Sequence, residues 1–158
     1  ISYGAPRTQA NYNSYTQIIQ APDTVVLLQE MIHDARVVPL TAKPHLPKKI
    51  RQLHGDPRGR WDGDTLVVDT IGLNDKSYVD NFRTPHTDKL HVVERFTRTS
   101  ATTIDYRFTV DDPETYNQTW QAMRRYDITS DDIGENICQE GNLTLFDYGV
   151  PVADKPDF

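Results

Sequence analysis

The stretch "KLHVVERFTRTSATTIDYRFTVDD", residues 89–112, constrains this chain more than any other. Leu90, Val92 and Phe96 share one side of an alternating run with Glu94, and Ile104, Tyr106, Phe108 and Val110 share one side of the next. Period-two alternation is the mark of a half-buried strand. An odd-length connection, such as 99–103, would set Phe96 opposite Tyr106, Glu94 opposite Phe108 and Val92 opposite Val110. The other face then pairs His91 with Asp111 and Thr97 with Asp105. An even connection would press the apolar face of one strand onto the polar face of the other. A half-buried antiparallel sheet needs one apolar and one solvated face, so the odd connection is expected.

Other segments follow the same logic. "TQIIQ" (16–20) reads as a short strand, and "TVVLLQEMI" with "ARVVPL" reads as a hairpin over 24–40. "YNQTWQAMRRYDIT" (116–129) reads as a further strand with Tyr116, Trp120, Ala122, Arg124 and Tyr126 on one side. "ENICQEGNLTLFDYG" near the end is read as a candidate for one more short strand. "KKIRQL" (48–53) is expected to form a helical turn, with Pro47 at its first position and Gly55 past its end. No segment sustains a 3.6-residue period. The expected fold is therefore all-β with little helix: an antiparallel meander of about seven to nine strands, closed as a lipocalin-like barrel or left as a strongly curved sheet. Residues 1–16 are expected to be an N-terminal arm, 17–150 a single β-barrel-like domain and 151–158 a tail.

"HGDPRGRWDGDTLVVDT" (54–70) raises the question of a phosphate or metal loop. A Walker loop needs Gly-Lys-Ser/Thr opening a helix, and a calcium loop needs alternating acids ending in a glutamate at its twelfth position. Neither spacing is present. Asp62-Gly63 between two strand-like runs instead reads as a two-residue type I′ hairpin turn. The front end, Asp56 to Arg60, is left as a pocket-rim alternative.

Composition narrows the function classes. A 158-residue chain that is 37% hydrophobic can bury a real core. A net charge of −6, with the acids spread along the chain, argues against non-specific nucleic-acid binding. No apolar run reaches membrane-spanning length. The single cysteine, Cys138, rules out an intramolecular disulfide framework and a Cys-based zinc site. There is no Gly-x-Ser-x-Gly elbow for serine catalysis.

Four motifs, "EMIHDAR" (30–36), "GDPRGRWDGDTLVVD" (55–69), "LHVVERF" (90–96) and "CQEGN" (138–142), carry a resemblance. Together they resemble a group of bacterial, often exported proteins without an assigned activity, whose motifs run EMIHDxR, GDSRGRWEGDTLVVD, LHxxERF and CHEGN. The likeness spans roughly residues 11–142. Pro57 stands where the group has Ser, and Gln139 where it has His. The resemblance implies a periplasmic or secreted location, and marks His33, Arg36, Asp56, Arg58, Glu94, Glu140 and Asn142 for attention.

Glu94 is the sharpest individual residue. A carboxylate on an apolar face is costly unless paired, and burial raises its pKa toward the range useful for proton transfer. Arg124, on the aromatic side of its own strand, is the expected partner; a purely structural Glu–Arg pair is the plain alternative. Glu30 and Tyr106 are expected to assist. Trp61, Phe96, Phe108, Trp120 and Tyr126 are either core or the wall of a ligand pocket, with His33 and Arg58 as polar contacts. The five histidines form no recognised metal motif, so no cofactor is expected, although a metal gathered from several strands stays open.

These residues point to a small-molecule enzyme doing acid–base chemistry of the isomerase, cyclase, lyase or hydratase type in an apolar cavity. A non-catalytic carrier of an apolar or aromatic molecule, and a structural or subunit domain, stand as alternatives. The expected partner is an apolar or aromatic small molecule, without nucleic acid or membrane span, and homo-oligomerisation stays open.

Overall fold

The computed structural model describes residues 5–8 and 14–134. Within them lie eight antiparallel strands and one 3-10 turn, Met31–His33. Strands β1 (Thr16–Ala21), β2 (Thr24–Gln29) and β3 (Ala35–Pro39) form a three-stranded sheet. Strands β4 (Asp56–Asp62), β5 (Thr65–Ile71), β6 (His91–Arg98), β7 (Thr103–Asp111) and β8 (Trp120–Asp127) form a five-stranded meander. Among the described residues, the strand order leaves β1, β3, β4 and β8 as edges, so the all-β meander is present there as two open sheets and not as a closed barrel.

The β6–β7 register follows the alternation: Phe96 faces Tyr106, Glu94 faces Phe108, Val92 faces Val110, His91 faces Asp111 and Thr97 faces Asp105. The 24–40 hairpin also forms, as β2 and β3 around the 3-10 turn. The expected short strand at the end of the chain lies outside the described residues.

Two local expectations are corrected. Asp62 pairs with Thr65, so the turn residues are Gly63 and Asp64, one position later than expected. Gly63 has φ of 57° and Asp64 has no positive φ, the pattern of a type II′ turn with glycine first; type I′ needs positive φ at both positions. Since Trp61 now faces Leu66, the same faces still meet. Over 48–53 the expected helical turn is reduced to one turn at 48–49, where the Ile50 amide donates to the Pro47 carbonyl at 2.9 Å. It goes no further because the Gln52 amide donates to the Gly72 carbonyl and the Gln52 carbonyl accepts from the Asn74 amide, a parallel bridge to Leu73.

One core joins the sheets. Val25, Leu27 and Val38 from the small sheet pack with Leu66, Val68, Val92, Phe96, Tyr106, Phe108 and Val110 from the large one. Gly59 allows this approach: a Cβ there would sit 2.6 Å from Leu40 Cδ2 and 2.9 Å from Val38 Cγ1. The β5–β6 connection adds Leu73, Val79 and Leu90 to the core. It is tied down by Asp112, whose carboxylate accepts from the Thr87 amide at 2.6 Å and the Thr87 hydroxyl at 2.9 Å. Burial pushes the Asp112 carboxyl up, but these hydrogen bonds and those from Thr115 and Glu114 outweigh it and hold its pKa low.

Candidate functional site

Three arrangements bear on function: a buried ionic cluster, a surface groove behind which it lies, and a polar array on the opposite face of the large sheet.

The buried cluster centres on Glu94, which is fully buried. Both carboxyl oxygens accept hydrogen bonds: Oε2 from Arg36 Nη2 at 2.7 Å and Oε1 from the Tyr106 hydroxyl at 2.7 Å. The partner is thus Arg36 on β3, and not Arg124, which is exposed on the edge strand β8. Arg124 faces Tyr106 in register, but the edge of the sheet lets a long cationic side chain reach solvent. Arg36 is buried because it shares the inward side of β3 with Val38.

Residues 5–8 close this cluster. The Arg7 amide donates to the Tyr106 hydroxyl oxygen at 2.6 Å, and the Tyr126 hydroxyl donates to the Arg7 carbonyl at 3.4 Å. The Arg7 guanidinium lies 3.8 Å from Asp34, which also takes His54 Nε2 at 3.0 Å. Burial, reinforced by Arg36, lowers the Arg7 pKa to about 10. Burial, and then the neighbouring Glu94, pushes the Tyr106 phenol well above its ordinary value, and the same causes raise Tyr126. Burial works to raise Asp34, but His54 and Arg7 prevail and hold it low.

The groove has a volume of about 560 Å³ and runs between β1, the β4–β5 hairpin and the segment following β8. Ile18, Trp61, Leu66, Phe96, Ile104 and Tyr126 supply its apolar surface. Phe96 and Tyr126 both stack on Tyr106, with centroids 4.7 and 5.4 Å away, so the groove wall and the buried cluster share one aromatic row. Glu94 itself does not line the groove.

Of the residues named from sequence, Trp61, Phe96 and Tyr126 meet at the groove, while Glu94 and Tyr106 meet behind it. Phe108 is core, with Trp120 edge-on to it at 5.9 Å, and neither lines the groove. Glu30 accepts from the Tyr15 amide at 3.2 Å in an exposed position. His33 is exposed in a left-handed conformation, φ 52°. Cys138, Gln139, Glu140 and Asn142 lie outside the described residues. Ile18, Leu66 and Ile104 escaped sequence reasoning as groove residues because apolar inward positions give no signal that separates wall from core.

The third arrangement includes Arg58. On the outward face of β4–β6, His45 reaches Asp56 through Nδ1 at 3.1 Å and Asp69 through Nε2 at 3.0 Å. His91 Nε2 meets the same Asp69 oxygen at 3.2 Å, and Arg58 donates to Asp56. The hydrogen bond to Asp69 raises the His91 pKa, and the reciprocal bond lowers that of Asp69. Among the described residues, no group of three or more His, Cys, Asp or Glu side chains is placed to hold a metal ion. Among them too, no helix is long and apolar enough to cross a membrane.

Compared with protein-family models, curated proteins and solved structures, the chain matches none.

Proposed function

We propose that this domain binds a small molecule without transforming it, using the groove between β1, the β4–β5 hairpin and the end of β8. The observation that carries this reading is the groove itself, of about 560 Å³, with an aromatic wall of Trp61, Phe96 and Tyr126. Cavities of this size with mainly apolar walls are where small organic molecules bind. Trp61 is 48% exposed, a large apolar surface left open to a ligand.

The acid–base enzyme reading draws no support from Glu94. Its two oxygens already accept from Arg36 and Tyr106, and its side chain lies behind the wall. A general acid or base must reach the substrate directly or through one water.

The test is native mass spectrometry of the protein against a panel of neutral and charged aromatic compounds, repeated with Trp61→Ala and Ile104→Arg. One-to-one complexes that weaken at least about tenfold in both variants are expected, a loss of about 1.4 kcal/mol or more. Absence of any complex, or complexes indifferent to both substitutions, would overturn the proposal. Catalytic turnover of a bound compound, abolished by Glu94→Gln in a folded variant, would restore the enzyme reading.

A further inference from the structure

The rim of the groove says more about the occupant than its floor does. Among the described residues, Asp64, Asp127, Asp131 and Asp132 line it, against a single cation, Arg98. Arg98 is turned to the β6–β7 turn, where Nε donates to the Ser100 carbonyl at 3.0 Å and Nη2 to the Ala101 carbonyl at 2.7 Å. Among the described residues, none of the four aspartates forms an ion pair: Asp131 accepts only from the Tyr15 and Thr129 hydroxyls, at 3.2 and 2.7 Å. Elsewhere among the described residues, Asp34, Asp56, Asp62, Asp69, Asp88 and Asp105 are ion-paired, whereas Asp23, Asp75, Asp80, Asp111 and Asp112 are not. Four carboxylates without a cation partner thus share the rim of one aromatic groove.

Resting on the binding function proposed above, we infer that the occupant is a small organic cation with an aromatic or branched-alkyl body. The body lies on Trp61, Phe96 and Tyr126, and the ammonium sits within the carboxylate rim. Two physical terms favour this class. Electron-rich ring faces attract an ammonium, most strongly when it is partly desolvated. Low-dielectric walls also concentrate the field of nearby carboxylates. An anionic ligand would meet four like charges, and a neutral one would gain nothing from them.

The experiment is isothermal titration calorimetry with three probes of similar shape: phenyltrimethylammonium, its uncharged carbon isostere tert-butylbenzene, and benzenesulfonate. The ammonium is expected to bind at least about tenfold more tightly than the isostere, with benzenesulfonate weakest. In an Asp64→Asn/Asp127→Asn variant, which changes polar rim groups and leaves the core intact, that preference should fall to about threefold or less. Added salt should weaken the ammonium selectively. Equal binding of ammonium and isostere would overturn the charge inference while leaving the groove as a binding site. Preference for benzenesulfonate, or a preference unchanged in the double variant, would overturn the inference as well. Failure of all three probes, with Trp61 fluorescence undisturbed, would remove both the inference and the binding function beneath it.

Discussion

Arg36 on β3 and Glu94 on β6 meet at 2.7 Å across the two sheets, both almost wholly buried, 58 residues apart in sequence. The pair pins the small sheet onto the large one at a point where an apolar contact would have no directional preference. Removing one partner of such a pair strands the other in a low-dielectric interior, which costs about 3–5 kcal/mol. Arg36→Met and Glu94→Leu should each destabilise the fold by that order in urea unfolding. The double variant should recover much of the loss, because two apolar side chains leave no charge unpaired. Additive losses in the double variant would show that the two residues act independently.

Residues 5–8 cap the same cluster, with the Arg7 amide on the Tyr106 hydroxyl oxygen. Burial is the first cause of the raised Tyr106 pKa. Deleting residues 1–8 should therefore admit water to this phenol and let it ionise at lower pH, as followed by ultraviolet absorbance. A titration curve identical to that of the intact chain would mean that the cap does not shield Tyr106.

Gly59 faces Leu40 and Val38 too closely for a side chain. Gly59→Ala should push β3 away from β4 and destabilise by about 1–3 kcal/mol, the usual range for overpacking. Leu40→Ala in the same chain should restore part of this by vacating the nearer contact. An unaffected midpoint in the single variant would show that the sheets yield easily there.

His91 and Asp69 give the protein a pH profile with two limbs. The His91 pKa is raised above its ordinary 6.5, so its stabilisation is complete below 6.5 and is lost as pH climbs through the folded-state value. Asp69 is lowered from 3.8, so its contribution is present above 3.8 and disappears as pH falls through its folded value. Stability should thus plateau between these two values. His91→Gln should flatten the alkaline limb when the melting temperature is followed from pH 5 to 9. A variant that keeps the wild-type slope would assign that limb to another group. Because the pair is substantially exposed, added salt should shrink the effect.

How much of this was legible beforehand depends on how local the information was. The facing sides of β6 and β7 could be read because period-two alternation on two neighbouring runs joins apolar to apolar faces only through an odd connection, of which 99–103 was one choice. The inward position of Glu94 followed at once. The β4–β5 hairpin was also legible, although its turn lies one residue later, at Gly63-Asp64. Here the positive φ falls on one residue and not two, a choice that twist and strand register make together.

What the amino-acid sequence by itself determined was most of the strands and their antiparallel neighbours and, on the alternating runs of β6 and β7, the face each side chain takes, since these follow from side chains two apart along one backbone. The faces of Glu30 and Asp69 stayed open. What only the tertiary structure decided was which faces meet. Arg36, not Arg124, reaches Glu94 because β3 is folded over the large sheet, whereas β8 stands at its edge. Gln52 bridges to Leu73 in place of a longer helical turn because the β5–β6 connection offers its backbone partners. The groove, too, arises only where β1, the β4–β5 hairpin and the end of β8 converge. Such contacts depend on how one sheet is laid over another, and an alternating pattern, which fixes only inside and outside, carries no record of that.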